Sequence, residues 1–218
     1  MKKIFFLLAS LIVGINVQAQ SLWDSSKPDK NFTFGLRAGI NFASSNEDEA
    51  TSTKTGFHFG ATVDYNIIKS FSVSSGVYYI SKGFRGNYPE IPLADVSKAT
   101  ASKVTANYIQ IPLLASFRIV APSSVQFHIN VGPYYAYGIS GKAVYKPYDM
   151  TFDRDYDQET FGDAGFWKHN DYGVHAGVNV LIGKFVAGIS YDYGLADVSK
   201  VFGNFHTRNA NMTIGVNF

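Results

Sequence analysis

The sequence predicts an all-β protein, an eight-stranded antiparallel transmembrane β-barrel with short periplasmic turns and long extracellular loops. Three observations predict it. Apolar and polar residues alternate in eight separate segments. The connections between these segments are short and long by turns. Glycine collects on the polar face of the segments and aromatic residues on the apolar face.

The chain begins with Met1-Lys2-Lys3, a short basic start, followed by an almost unbroken apolar run from Ile4 to Val17. This run is shorter than the roughly 20 residues a membrane-spanning helix needs. Val17-Gln18-Ala19 offers small or permissive residues where a signal peptidase reads, so residues 1–19 are expected to be a signal peptide for Sec-type export, cleaved after Ala19. Residues 20–31 are polar, contain Pro28 and are expected to be a loose N-terminal leader. The barrel is expected over 32–218.

Phe32-Thr33-Phe34-Gly35-Leu36-Arg37-Ala38-Gly39-Ile40-Asn41-Phe42 is the clearest strand. Successive side chains of a strand point to opposite faces, so this one has a greasy face and a polar face. The same pattern recurs near 55–66, 71–82, 104–118, 125–138, 171–182, 184–195 and 208–218. The connections near 67–70, 119–124 and 183–184 are short, and those near 43–54, 83–103, 139–170 and 196–207 are long. Outer-membrane barrels have such alternation, with the long loops outside the cell.

Alternation alone does not say which face meets lipid. Gly35, Gly39, Gly60, Gly132, Gly138, Gly177 and Gly188 lie on the polar face, and no strand glycine falls on the apolar face. Glycine weakens a strand and needs a local reason, such as close approach within a narrow lumen. The polar face is therefore placed inside. The outward aromatics agree: Phe32, Phe34, Tyr65, Phe71, Phe117, Phe185 and Phe218 fall toward the periplasmic end. Phe42, Phe57, Tyr79, Tyr135, Tyr137, Tyr172, Tyr191 and Tyr193 fall toward the other. Two aromatic girdles around an apolar band match a bilayer, and closing the sheet satisfies every strand edge.

Composition narrows the chemistry. The chain has no cysteine, which excludes a lipid-anchored cysteine, a disulfide framework and thiolate chemistry. Lys2 and Lys3 leave with the signal, so the 19 basic residues fall to the same number as the 17 acidic ones, and a nucleic-acid partner is not expected.

Tyr108-Ile109-Gln110-Ile111-Pro112-Leu113-Leu114 resembles the Tyr-Leu-Glu-Ile-Pro-Leu-Leu signature of the PorT-like outer-membrane β-barrel family of Bacteroidota, small barrels of the OmpX/OmpA type. Gln110 stands where that signature has Glu. The resemblance implies outer-membrane residence and fold more than a task, although the namesake's link to type IX secretion suggests an envelope or secretion accessory. Phe218 at the C-terminus fits the same group and is the expected contact for the barrel-assembly machinery. Pro112 is read as an inward residue at a kink or bulge.

Arg37, His58, Asp64, Lys82, Gln110, Arg118, His128, His175 and Asp192 are the inward polar residues. They are expected to form a structural hydrogen-bond and ion-pair network, because buried charges need partners. Arg118 and Asp64 are candidate partners. His58 and His175 fall toward the outer end and His128 toward the periplasmic end, so no shared metal site is expected. In the longest loop, Asp153-Arg154-Asp155-Tyr156-Asp157-Gln158-Glu159 alternates carboxylates. The EF-hand pattern fails at Gln158 and Ala164, so a solvated acidic loop is expected there and not a calcium site. No nucleophile elbow, phosphate loop or zinc-protease motif is present. Catalytic residues and cofactors are not expected. The function expected is a non-enzymatic outer-membrane barrel, embedded in lipid, whose loops bind a partner. Alternatives are a rim enzyme acting on lipid or peptide, and a narrow channel, which eight strands disfavour.

Overall fold

The computed structural model describes residues 23–45, 51–86, 99–120, 125–147, 156–163, 165–200 and 205–218. Its strands are β1 (Phe32–Ser45), β2 (Thr51–Ile68), β3 (Phe71–Gly86), β4 (Ala99–Val120), β5 (Val125–Pro147), β6 (Tyr156–Glu159), β7 (Asn170–Ile182), β8 (Phe185–Gly194) and β9 (Thr207–Asn217). All except β6 form one closed antiparallel ring of eight staves. β1 closes it, pairing with β2 from Phe32↔Tyr65 to Ala43↔Lys54 and with β9 from Gly35↔Asn217 to Ser45↔Thr207.

Burial follows the predicted faces. Phe34, Leu36, Ile40, Phe59, Val77, Leu113, Ile129 and Ile189 are exposed, with Ile214 at 67% and Phe185 at 74%, whereas Lys82 is 1% exposed. An apolar surface this extensive is stable only in lipid. The interior is narrow enough that glycine makes room for large inward side chains. A Cβ on Gly60 would meet the Tyr78 ring at 2.8 Å, and one on Gly173 would meet Tyr134 at 2.9 Å.

Strands β1 to β5 outrun the predicted segments at their outer ends. β4 has 22 residues and β5 has 23, against 10 for β8. At about 3.3 Å per residue and a tilt of about 40°, β5 rises about 55 Å, roughly twice an apolar band of about 25 Å. Outward residues above the girdle, such as Arg85 and Lys103, face water and need not be apolar. The hydropathy pattern therefore stops where the hydrogen-bonded ladder continues.

Two further expectations need correction. The acidic stretch is not wholly loop, because Tyr156–Glu159 adds β6 to the outer end of β5, from Tyr145↔Tyr156 to Lys142↔Glu159. Asp153 and Asp155 lie outside the described residues. The β3–β4 register is the same on both sides of Pro112, at Ser75↔Leu113 and Tyr78↔Gln110, so this buried proline marks no bulge. Ser75 Oγ instead donates to the Pro112 carbonyl at 2.8 Å.

The described residues of the leader make contacts with the barrel. The Trp23 ring packs 5.9 Å from Phe117, the Asp24 amide donates to Ser70 Oγ at 2.8 Å, and Asn66 Nδ2 donates to the Lys30 carbonyl at 2.7 Å. These residues cross the periplasmic end beside the β2–β3 turn.

Candidate functional site

The lumen is built in layers. Near the periplasm, Arg37 Nη1 donates to the carbonyls of Leu36 at 3.0 Å and Val216 at 3.1 Å, and Nη2 donates to Asn217 Oδ1 at 2.6 Å. Arg118 donates to Asn66 Oδ1 and forms no ion pair with Asp64. Asn66 is on β2 two residues beyond Asp64, and its amide already ties the leader to the barrel, so it presents the acceptor that Arg118 reaches. His128 is buried beside this layer, with Nε2 3.4 Å from Gln126 Oε1.

The middle of the barrel holds a cavity of about 80 Å³, lined by His58, Tyr78, Gln110, His175, Asp192 and Asn211 among others. His58 Nε2 lies 3.0 Å from Thr213 Oγ1. Its Nδ1 and Gln110 Oε1 have no protein partner, and a chamber of this size gives both room for water. Asp192 is held from several sides. Oδ1 is 2.5 Å from His175 Nδ1, and Oδ2 accepts from Asn211 at 3.2 Å, Asn209 at 3.3 Å and Gln110 at 3.4 Å. Asn41 extends the chain by donating to Asn209 Oδ1 at 2.9 Å.

Above the chamber, Lys82 Nζ pairs with Asp171 Oδ2 at 2.9 Å, both side chains being sealed from solvent. Thr207 Oγ1 donates to the same oxygen at 2.9 Å, and Tyr134 OH donates to Oδ1 at 3.4 Å. The ammonium also lies 4.6 Å from the Tyr134 ring centroid and 5.3 Å from that of Tyr108. Burying two charges is tolerable only with this density of partners.

Outward of the ion pair the interior turns apolar. Phe84, Val104, Tyr108, Phe161, Trp167 and Phe205 belong to one buried cluster. Phe161 meets Tyr108 edge-on at 5.4 Å, and Trp167 packs 5.9 Å from Phe84 and 5.6 Å from Phe205. Gly138 permits this, because a Cβ there would strike the Phe161 ring. The cap is tied across its top by Asp197. Its Oδ1 accepts from the amides of Phe205 at 3.1 Å and Ser199 at 3.2 Å, and its Oδ2 from Lys168 at 3.2 Å. Desolvation pushes this carboxyl up, but the Ser199 and Phe205 amides and then the Lys168 ammonium outweigh it and hold the group below its ordinary value of 3.8.

Of the inward residues singled out from sequence, Lys82, Gln110, His58, His175 and Asp192 converge on the chamber and the layer above it. Arg37 also lines the chamber, from its periplasmic side, where Asp64, Arg118 and His128 lie. Asp171, Asn41, Asn209 and Asn211 complete the network and are not in that set, although each occupies an inward position of its strand. The motif Tyr108–Leu114 now has a physical reading. Tyr108, Gln110, Pro112 and Leu114 all face inward, where Tyr108 touches Lys82 and Phe161, and Gln110 reaches Asp192. Among the described residues, no group of three His, Asp or Glu is arranged to hold a metal.

Residues 18–200 match the outer membrane protein beta-barrel domain family. The chain belongs to that family. It is an integral outer-membrane barrel protein. Several solved structures of outer-membrane proteins are similar to the chain at low identity. Neisserial surface protein A is 16% identical with a TM-score of 0.44, covering 86% of this chain and 96% of its own. OprG from Pseudomonas aeruginosa is 14% identical with a TM-score of 0.43, covering 90% and 99%. Ail from Yersinia pestis, in complex with the heparin analogue sucrose octasulfate, is 13% identical with a TM-score of 0.42, covering 87% and 100%. No protein of curated function matches the chain.

Proposed function

We propose that this barrel is a non-enzymatic anchor that presents its extracellular sheet extension and loops for binding, and that it does not conduct solutes. The observation that carries this is the sealed lumen. A buried ion pair and an aromatic cap close the barrel on the side where β2 to β5 rise beyond the girdle. Binding functions concentrate on loops held by a rigid scaffold. Crosslinking in intact cells, through photoreactive residues at exposed extracellular positions, is expected to capture a partner. Planar bilayers holding the refolded protein are expected to show no ion conductance. Steady single-channel currents, or turnover of lipid or peptide by the purified chain, would replace this reading with the channel or the rim enzyme.

Export by a signal peptide cleaved after Ala19 belongs to the same proposal, and the mature chain is expected to begin at Gln20 on N-terminal sequencing. The C-terminal strand would engage the assembly machinery through Phe218, which faces outward and is 57% exposed. The likeness of Tyr108–Leu114 to the PorT-like signature favours an envelope or secretion accessory as the partner class. Co-purification with secretion components tests it.

A further inference from the structure

The outward face of the sheet extension carries a charge arrangement that the fold does not need. Arg85 on β3 stands directly opposite Lys103 on β4, and both are exposed. Like charges directly opposite in a sheet repel and destabilise the pair. A third cation, Lys54 on β2, lies close enough to be repelled by both. Lys54 turns inward and donates to the Lys82 carbonyl at 3.2 Å, which leaves Arg85 and Lys103 as the outward pair. Lys142 on β5 has Glu159 opposite it on β6. Among the described residues, no carboxylate pairs with Arg85 or Lys103. Around them the outward positions are Ser52, Thr55, Thr105, Asn107 and Ser140, which offer hydroxyls and amides and no acid.

We propose that this face binds the phosphorylated sugar heads of outer-leaflet glycolipid, with Arg85 and Lys103 bracketing a phosphate and the hydroxyl and amide side chains meeting the sugars. This goes beyond presentation of loops to a partner, because the site lies on the flank of the barrel. Three features favour lipid as the source of the phosphate. The face continues the surface that meets hydrocarbon below, through Tyr79, Phe59 and Phe57, whose rings stack at 5.2 to 6.3 Å. Lipid heads therefore stand against it already, at high local concentration. The height is also right for a saccharide head. Arg85 is six residues beyond Tyr79, about 20 Å along the strand and about 15 Å above the girdle, which exceeds the reach of a simple phospholipid head. Finally, a phosphate between two cations converts a repulsive pair into two charge-assisted hydrogen-bonded contacts.

The test uses the full chain, immobilised in zwitterionic detergent, and measures retained fluorescent lipopolysaccharide, its dephosphorylated form and phosphatidylglycerol. A fourth arm uses soluble inorganic polyphosphate. The parent is expected to retain phosphorylated lipopolysaccharide best, and Arg85→Gln/Lys103→Gln about tenfold less at low salt. Lys184→Gln, which removes a cation from the periplasmic turn, is expected to behave as the parent. Heat-modifiable mobility on gels establishes that each variant is folded. The proposal is overturned if the double variant retains as much lipopolysaccharide as the parent, or if the dephosphorylated form or phosphatidylglycerol is held equally well. Binding of polyphosphate without retention of glycolipid would also overturn it, by assigning the pair to a soluble polyanion. None of these failures touches the capture of a partner by the loops, which is read in intact cells.

Discussion

Lys82 Nζ and Asp171 Oδ2 meet 2.9 Å apart at the level where the interior of the barrel changes from polar to apolar. Removing one member leaves the other charge buried without its counterion, at a cost of about 3–5 kcal/mol. Lys82→Met is therefore expected to lower stability by that order in urea titrations of the protein refolded into lipid vesicles. Adding Asp171→Leu to it is expected to recover most of the loss, because a well-packed apolar pair can replace a buried ion pair. A double variant no more stable than Lys82→Met would show that the charge pair is not what holds this layer.

Ile129 and Ile189 face outward near the middle of their strands, 43% and 41% exposed. Arginine at the bilayer midplane costs about 2–4 kcal/mol. Ile129→Arg and Ile189→Arg are each expected to lose that much, and Asp163→Arg, at an exposed loop position, little. Equal losses in the three, measured by refolding into vesicles, would contradict a lipid-facing apolar surface.

The faces were legible because lipid outside and a crowded lumen inside impose opposite demands on alternate residues. Glycine and aromatic placement then distinguished the two. What escaped was the region above the membrane. Arg85 and Lys103 continue β3 and β4 with polar residues on the water-facing side, so no alternation signals them. Phe161, Trp167 and Phe205 form the cap from irregular segments, where apolar residues follow no period and only the fold brings them together. Asp171 is a different case. It sits one residue before Tyr172 on the inward face of β7, and alternation alone places it in the lumen.

The cap and the ion pair are separate seals, so they are expected to fail separately. Trp167→Ala removes a buried ring and should cost about 3–5 kcal/mol. It is still expected to give no conductance in planar bilayers, because the Lys82–Asp171 layer lies below it. Combining Trp167→Ala with Lys82→Ala and Asp171→Ala removes both seals above the chamber and is expected to raise the frequency of ion-conducting events. Conductance from Trp167→Ala alone would show that the cap is the sole barrier.

Asp197 gives the cap a pH dependence whose sign follows from its contacts. Its carboxyl is held below its ordinary value of 3.8 by the Ser199 and Phe205 amides and by Lys168, against desolvation, so the folded cap favours the charged form. A group depressed in this way stabilises the cap above its unfolded value, and the contribution fades as the pH falls through the folded one. Around neutral pH the cap is therefore expected to be insensitive to pH, and to loosen only below about pH 4. Amide exchange at Ser199 and Phe205 reads this directly, since both amides donate to Asp197 Oδ1. Exchange there should accelerate in acid while amides of the membrane-spanning ladder remain protected. Asp197→Asn keeps an acceptor oxygen but loses the charge. It is expected to exchange faster than the parent at neutral pH and to show no further acceleration on acidification. An acid response that survives in Asp197→Asn would assign the effect to another group.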